Sequence, residues 1–134
     1  MRQKNILAQA EPEVPEGAAV ISVGDEDSAF TNLATSLAEI RKLKGVFGYI
    51  LRNNKAAIVD IEEQEKISAF ALLSTHIRES SFEIGKPFNL SDVESVLVEG
   101  KNAKVLCMSL GENMLDVFME KSASDVLVTK RILP

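Results

Sequence analysis

The residues of this chain that are suited to catalysis are few, and the first are its one histidine, His76, and its one cysteine, Cys107. A cysteine nucleophile needs a neighbouring base to form its thiolate, so the two side chains would have to meet in the fold. Cys107 stands in an apolar run with Val105, Leu106 and Met108, and burial in such a run raises a thiol pKa and suppresses its reactivity. We therefore expect His76 to have a structural or interface role, with a pH-sensitive contact as the alternative.

The sequence gives little more support to a metal site or to acid-base catalysis. One histidine cannot supply the ligand set of a typical zinc site. The two acidic runs, at residues 25–27 and 62–65, fall at predicted helix starts, where the helix dipole explains them. Gly45-Val46-Phe47-Gly48 lacks the lysine of a phosphate-binding loop and leads into a strand. The sequence thus predicts no catalytic residue, no metal site and no cofactor, and we expect a protein that is not an enzyme.

The composition of the chain argues against some classes of binding partner and indicates its cellular compartment. A net charge of −5, with basic residues present singly or in short pairs, argues against a nucleic-acid surface, which needs clustered lysine and arginine. A single cysteine excludes an intramolecular disulfide and is typical of a reducing compartment. No apolar run approaches the roughly 18 residues of a membrane span. We expect a cytoplasmic protein with no membrane insertion.

The N-terminal region differs in composition from the rest. Residues 11–17, Glu-Pro-Glu-Val-Pro-Glu-Gly, carry too little apolar surface to offset the entropy of ordering. We predict a flexible tail over residues 1–25 and one domain over 26–134. The alternative for Ala18 to Val23 is docking as an added strand.

The first half of the domain has a helix followed by a hairpin. Apolar residues at helical spacing between Phe30 and Ile40 predict an amphipathic helix over about 27–44, with Asp25 or Asp27 as its N-cap. Two β-branched runs, 45–51 and 56–59, flank Asn53-Asn54. Because asparagine tolerates positive φ, this pair predicts a tight turn between antiparallel strands.

A long second helix is predicted over about residues 61–82, with Asp60 and Glu63 as its capping pair. It carries two apolar stripes. The first stripe comprises Ile67, Phe70, Ala71, Ser74 and Ile77, and the second comprises Ala69, Leu72, Leu73 and His76. A helix that is apolar on two sides needs two partners. One stripe is expected to cover a sheet, and the other a loop, a further helix or a second subunit.

The second half of the domain predicts a loop from Phe82 to Leu90, then three antiparallel strands with short turns, and a closing helix capped by Ser122 with Asp125. The strands contain three methionines, which we interpret as core filling, with an adaptable protein-binding surface as the alternative. These are Met108, Met114 and Met119.

This order, α-β-β-α-β-β-β-α, resembles the Roadblock/dynein light-chain superfamily over about residues 26–134. The resemblance rests on Leu37, Ile40 and Leu43 leading into Gly45-Val46-Phe47-Gly48-Tyr49, on the long second helix, and on the meander through Gly100 and Gly111. It implies an α+β fold in which a five-stranded antiparallel sheet carries one long helix on one face and two terminal helices on the other. Gly48 in the first strand has a counterpart in the family and is expected to let a helix or another backbone approach the sheet closely, with a bulge or a chance glycine as the alternative.

The resemblance further implies a homodimer in which the long helices pack together and the third strands pair across a two-fold axis. The second apolar stripe of the long helix independently favours a second subunit as its partner. The expected interface comprises Ala69, Leu72, Leu73, His76, Val93 and Val96. The implied function is a scaffold or regulator that binds a Ras-like small GTPase or joins a larger assembly. A small-ligand sensor, with a pocket between helix and sheet, is the alternative.

Overall fold

The centre of the protein is an antiparallel β-sheet, seen in a computed structural model that describes residues 19–22, 28–90 and 93–132. In chain order the elements are β1 (Ala19–Ser22), α1 (Ser28–Ile40), β2 (Val46–Arg52), β3 (Ala57–Ile61), α2 (Ile67–Gly85), β4 (Ser95–Glu99), β5 (Ala103–Leu110), β6 (Asn113–Glu120) and α3 (Asp125–Ile132). The sheet order is β1-β3-β2-β6-β5-β4. The predicted order of three helices and five strands is confirmed.

The short strand β1 extends this five-stranded sheet at one edge. It pairs antiparallel with β3, matching Ala19 to Val59 and Ser22 to Ala57, with an irregularity between Val20 and Ser22. This is the added strand that the sequence offered as an alternative for Ala18 to Val23. Residues 1–18, and the predicted caps Asp25 and Asp27, lie outside the described residues.

The alternation of side chains along the strands divides the core into two layers. One layer packs α1 and α3 against inward residues of β2, β6 and β5, including Leu51, Leu115 and Val117. The other packs α2 against Ile50, Phe118 and their neighbours. Phe70 of α2 stacks on Phe118 with ring centroids 4.6 Å apart. The expected arrangement, with one long helix on one face and two helices on the other, is therefore present.

Gly48 is required by the approach of another backbone, as its place in the strand predicts. A Cβ atom at this position would lie 2.3 Å from the Asp60 carbonyl oxygen and 2.7 Å from Ile61 Cα. The register of β2 against β6 also shifts between Val46 and Gly48. The missing side chain allows β3 to lie against this irregular part of β2.

The hairpin between β2 and β3 forms where the asparagine pair predicts it, but by a different mechanism. Among the described residues other than glycine, only Asn89 has a positive φ, so the left-handed conformation expected of Asn53 or Asn54 is absent. Instead, Asn53 Oδ1 accepts hydrogen bonds from the backbone N–H groups of Lys55, at 2.8 Å, and Ala56, at 2.9 Å. These two hydrogen bonds to the side chain of Asn53 stabilise the turn.

Two predicted helix caps are wrong, because each residue has another partner. Asp60 is the fourth residue of β3 and lies on the α1 face, where its Oδ1 is 3.4 Å from Arg41 Nε. The helix α2 begins later, at Ile67, after a single 3-10 turn at Gln64–Lys66. Ser122 Oγ donates to the Glu120 carboxylate, and Ser124 Oγ, 3.0 Å from Leu127 N, is the acceptor that caps α3.

The segment predicted as a loop over Phe82 to Leu90 is largely helical. The helix α2 continues to Gly85, and a second 3-10 turn covers Lys86–Phe88. The methionines do not form one surface. Met108 and Met119 are buried in the layer beneath α1 and α3, whereas Met114 follows the alternation onto the other face of the sheet.

Candidate functional site

The most conspicuous surface of the described chain is the outward side of α2. The inner stripe, Ile67, Phe70, Ala71, Ser74 and Ile77, faces the sheet. The second stripe, which we call the outer stripe, comprises Ala69, Leu72, Leu73 and His76, and all four residues are exposed. Leu72 is 59% exposed. The helix thus has the two apolar sides that its sequence predicts, and only one of them is covered by the residues that the structure describes.

The edge strand β4 lies beside this helix. It pairs with β5 on one side, and no other described strand pairs with its second side, which is an edge of the sheet. Leu97 and Val98 are each 42% exposed, whereas the predicted interface residues Val93 and Val96 are half-buried. Exposed apolar groups and unpaired backbone N–H and C=O groups therefore occur on one side of the molecule, and both favour association.

The exposed apolar surface is larger than the predicted set. Phe82 and Ile84 at the end of α2, with Phe88 and Leu90 just after it, are also exposed. The sequence predicts a loop over these residues because Gly85 and Pro87 interrupt the helical pattern. The signal that identifies this continuation is Ile84, which follows Leu73 by three helical turns and so lies on the same side of the helix as the outer stripe.

A buried cluster of charges fixes α2 on the sheet. Asp116 of β6 is completely buried, and its Oδ1 lies 2.7 Å from Arg78 Nη2 of α2. Its Oδ2 lies 3.7 Å from Arg52 Nη2 of β2. The Arg78 guanidinium also donates to the backbone oxygens of Met108 and Leu115, each at 3.1 Å. These bonds fix the rotation of α2 about its own axis. They therefore determine the direction in which the outer stripe points.

The cysteine and the histidine belong to different sides of α2. Cys107 is buried beneath the helix, in the layer that contacts the inner stripe, and His76 lies on the outer stripe. Burial raises the pKa of the Cys107 thiol to about 12, and the neighbouring Asp116 carboxylate adds to the rise. A thiol held in this state is a poor nucleophile.

A shallow cavity of about 280 Å³ lies on the opposite face of the sheet. It is formed after the end of α1 and at the start of α3, by residues that include Leu43, Val46, Ala123 and Leu127. Lys44 is the charged residue in its lining. Ser122 and Ser124 supply the other polar side chains of the lining. The cavity is smaller than the roughly 300–1,000 Å³ of typical small-molecule sites, so it gives the ligand-sensor alternative little support.

The described part of the chain has neither a metal-binding cluster nor a membrane-spanning helix. No group of three or more histidine, cysteine, aspartate or glutamate side chains is arranged to hold a metal ion there. Within the same residues, no helix has the length and apolar character needed to cross a membrane.

Comparisons with known proteins identify the fold. No family model matches the chain, and no curated protein does. Among solved structures, the chain is similar to the Roadblock/LC7 domain from Streptomyces avermitilis, with a TM-score of 0.58 and 14% sequence identity. The match covers 81% of this chain and 89% of that domain. The chain therefore has a Roadblock-like fold, as the order of its elements predicts.

Proposed function

We propose that this chain is a non-catalytic scaffold or regulator that acts as a homodimer. The interface combines the outer stripe of α2 with the β4 side of the sheet, and it includes the predicted set Ala69, Leu72, Leu73, His76, Val93 and Val96. The observation that carries the proposal is the exposure of Leu72 and Leu73 beside an open strand edge.

Both components of this surface favour association. Burial of a fully exposed leucine side chain contributes roughly 1.5–3 kcal/mol, and Leu72 and Leu73, which are 59% and 41% exposed, would each contribute about half of that. Each unpaired backbone group on β4 gains a hydrogen bond when another strand is added. A second copy supplies both kinds of partner at once, because a two-fold interface joins identical surfaces. The Roadblock-like fold supports the same choice through the resemblance described above.

The interface is tested by placing a charge within it. In the Leu72→Asp variant, the dimer would enclose an unpaired carboxylate, at a cost of about 3–5 kcal/mol in association. The fold should survive, because Leu72 is largely exposed in the single chain. We expect light scattering to give half the parent mass, with an unchanged circular dichroism spectrum.

Val126→Asp is the matched control. Val126 is 61% exposed, close to the value for Leu72, but it lies on α3 at the opposite face of the sheet. This variant should keep the parent mass. A Leu72→Asp protein that associates as strongly as the parent would remove the outer stripe from the interface.

The partner in this proposal is a Ras-like small GTPase, with membership of a larger protein assembly as the second possibility. The Roadblock-like fold supports both. We expect calorimetric titration of the purified chain with Ras-like small GTPases of the same organism to show binding that differs between their GDP- and GTP-loaded forms. If none binds in either nucleotide state, the assembly role is the one to pursue.

A further inference from the structure

The strand β1 pairs irregularly with the outer edge of β3, and this edge is longer than β1. We infer that the edge binds an extended apolar segment of a partner protein, and that β1 is the part of this chain that competes for it. The strands β3 and β4 lie toward opposite edges of the sheet. The inference is therefore independent of the proposed homodimer.

The hydrogen bonds between β2 and β3 establish which backbone groups of β3 point away from β2. Asn53 N–H donates to the Ala56 carbonyl and Glu62 N–H donates to the Phe47 carbonyl, each at 3.0 Å. The pairing between these two bonds is regular. Because hydrogen-bonded and non-hydrogen-bonded pairs alternate in an antiparallel ladder, every second residue of β3 bonds to β2, beginning with Ile58.

The other residues of β3 direct their backbone N–H and C=O groups outward. We call these groups the β3 edge, and they belong to Ala57, Val59 and Ile61. The strand β1 pairs regularly with only part of it. Ala19 is opposite Val59, the register shifts before Ser22 is matched to Ala57, and no described residue is opposite Ile61.

The sequence of the chain limits how well its own segment can extend this pairing. Continuing the register of β1 would set Gly17 opposite Ile61, and glycine has no side chain to pack there. Pro15, two residues earlier, cannot donate to a ladder. A straight strand from another protein could form hydrogen-bonded pairs with all three residues of the β3 edge, whereas β1 forms one regular pair of this kind.

The additional bonds are what would allow a partner segment to displace β1. Each net backbone hydrogen bond is worth roughly a two- to tenfold gain in affinity. The strand β1 has the compensating advantage of belonging to the same chain, which gives it a high effective concentration at the edge. We therefore expect β1 to exclude weakly matched segments and to yield to a longer and better matched one.

The residues of β3 determine the chemistry of the partner segment. Ile58 belongs to the core layer beneath α1 and α3, and Val59 and Ile61 belong to the layer beneath α2. Side chains of a paired strand alternate between the same two faces, so apolar side chains suit the positions opposite these residues. The position opposite Asp60 lies beside its ion pair with Arg41 and suits a small or polar side chain.

An extended segment fits this site better than a helix does. A helix uses its backbone groups internally and cannot pair with the β3 edge, whereas an added strand does so along its length. The edge already holds a segment of the expected kind, because β1 has the sequence Ala-Val-Ile-Ser. The pairing of β1 is thus the observation that identifies the class of occupant.

Locking β1 in place tests whether it competes with a partner. Val20 is opposite Ile58 in a non-hydrogen-bonded pair, whose Cα atoms lie about 4.5 Å apart, within disulfide range. The full chain with Val20→Cys and Ile58→Cys is studied oxidised and reduced, so that each form is the matched control of the other. Cys107 can stay, because it belongs to the other core layer from Ile58.

The probe is a fluorescently labelled peptide with the sequence of residues 17–24 and the change Gly17→Val, which supplies a side chain opposite Ile61. We expect fluorescence anisotropy to show binding to the reduced chain, and binding about tenfold weaker or less to the oxidised chain. Equal binding to the two forms would place the peptide elsewhere, for example on the edge of β4, and would overturn the inference. Absence of binding to the reduced chain would overturn it as well.

A second measurement weakens β1 without a cross-link. The change Ala19→Pro in the full chain removes the N–H group that faces the Val59 carbonyl. Val20→Pro is the matched control, because the N–H group of Val20 points away from β3 and an outward edge position tolerates proline. We expect the peptide to bind Ala19→Pro about tenfold more tightly than the parent, and Val20→Pro as the parent does. Equal affinities for Ala19→Pro and Val20→Pro, in chains with the parent circular dichroism spectrum, would contradict the inference.

Discussion

Asp116 is the residue on which the position of α2 depends most. It is fully buried and lies between two guanidinium groups, from Arg78 of the helix and Arg52 of β2. A buried carboxylate is tolerated only when charge partners and hydrogen bonds replace its water. Here two cations share one anion, so removing the anion leaves two partly buried charges without a counter-charge.

We expect Asp116→Asn to lower the free energy of unfolding by about 3–5 kcal/mol, the cost of breaking a buried ion pair from one side. Urea unfolding followed by circular dichroism measures the change. Asp60→Asn is the control, because Asp60 has one arginine partner at the longer distance of 3.4 Å, and its loss should be smaller. Equal losses in the two variants would contradict the role assigned to the double arginine contact.

This cluster also marks a limit of sequence reasoning at the residue scale. Arg52, Arg78 and Asp116 stand far apart in the chain, and each looks like an ordinary polar residue of its own strand or helix. No local pattern indicates that the fold brings them together. By contrast, the inert environment of Cys107 is predictable, because its apolar neighbours in the sequence are also its neighbours in the core.

At the scale of single elements, type and order were predictable and boundaries were not. The stripes of α2 are a periodic signal within one segment, and the structure separates them into a covered and an exposed side. Asp60 and Ser122 have the spacing of helix caps, but their real partners are Arg41 and Glu120. Spacing alone cannot show which partner the fold will bring to each side chain.

The closing helix offers a direct check of its cap. Ser124 Oγ accepts the Leu127 N–H, so Ser124→Ala should destabilise the protein by about 1 kcal/mol, a typical value for a lost N-cap. Ser122→Ala is the matched control, and it should change stability by much less because Ser122 bonds only to an exposed carboxylate. Thermal unfolding of both variants distinguishes them. A larger effect at Ser122 would restore the cap that the sequence predicts.

At the scale of the whole molecule, the two faces and two edges of the sheet are covered unequally. The helices α1 and α3 cover one face, and β1 occupies the edge at β3. The other face carries α2 with its outer stripe exposed, next to the open edge of β4. The side left incomplete in the described chain is the side where the proposed dimer forms.

Sequence alone left the coverage of the edges open. Docking of Ala18 to Val23 depends on whether the edge of β3 is free to accept it, which is a property of the assembled sheet. Likewise, the sequence predicts Val93 and Val96 for the proposed interface, but the exposure of Leu97 and Val98 beside them is visible only in the assembled sheet. The pairing of both edge strands depends on contacts between segments that are distant in the sequence. Local periodicity gives no information about such contacts.

The most direct test of the account is the molar mass of the purified chain in solution, measured by light scattering over a concentration series. The proposed homodimer predicts a mass near twice 14.6 kDa that falls toward the monomer value only on strong dilution. A mass of 14.6 kDa at every concentration would contradict it, and the exposed α2 stripe and open β4 edge would then need a different partner.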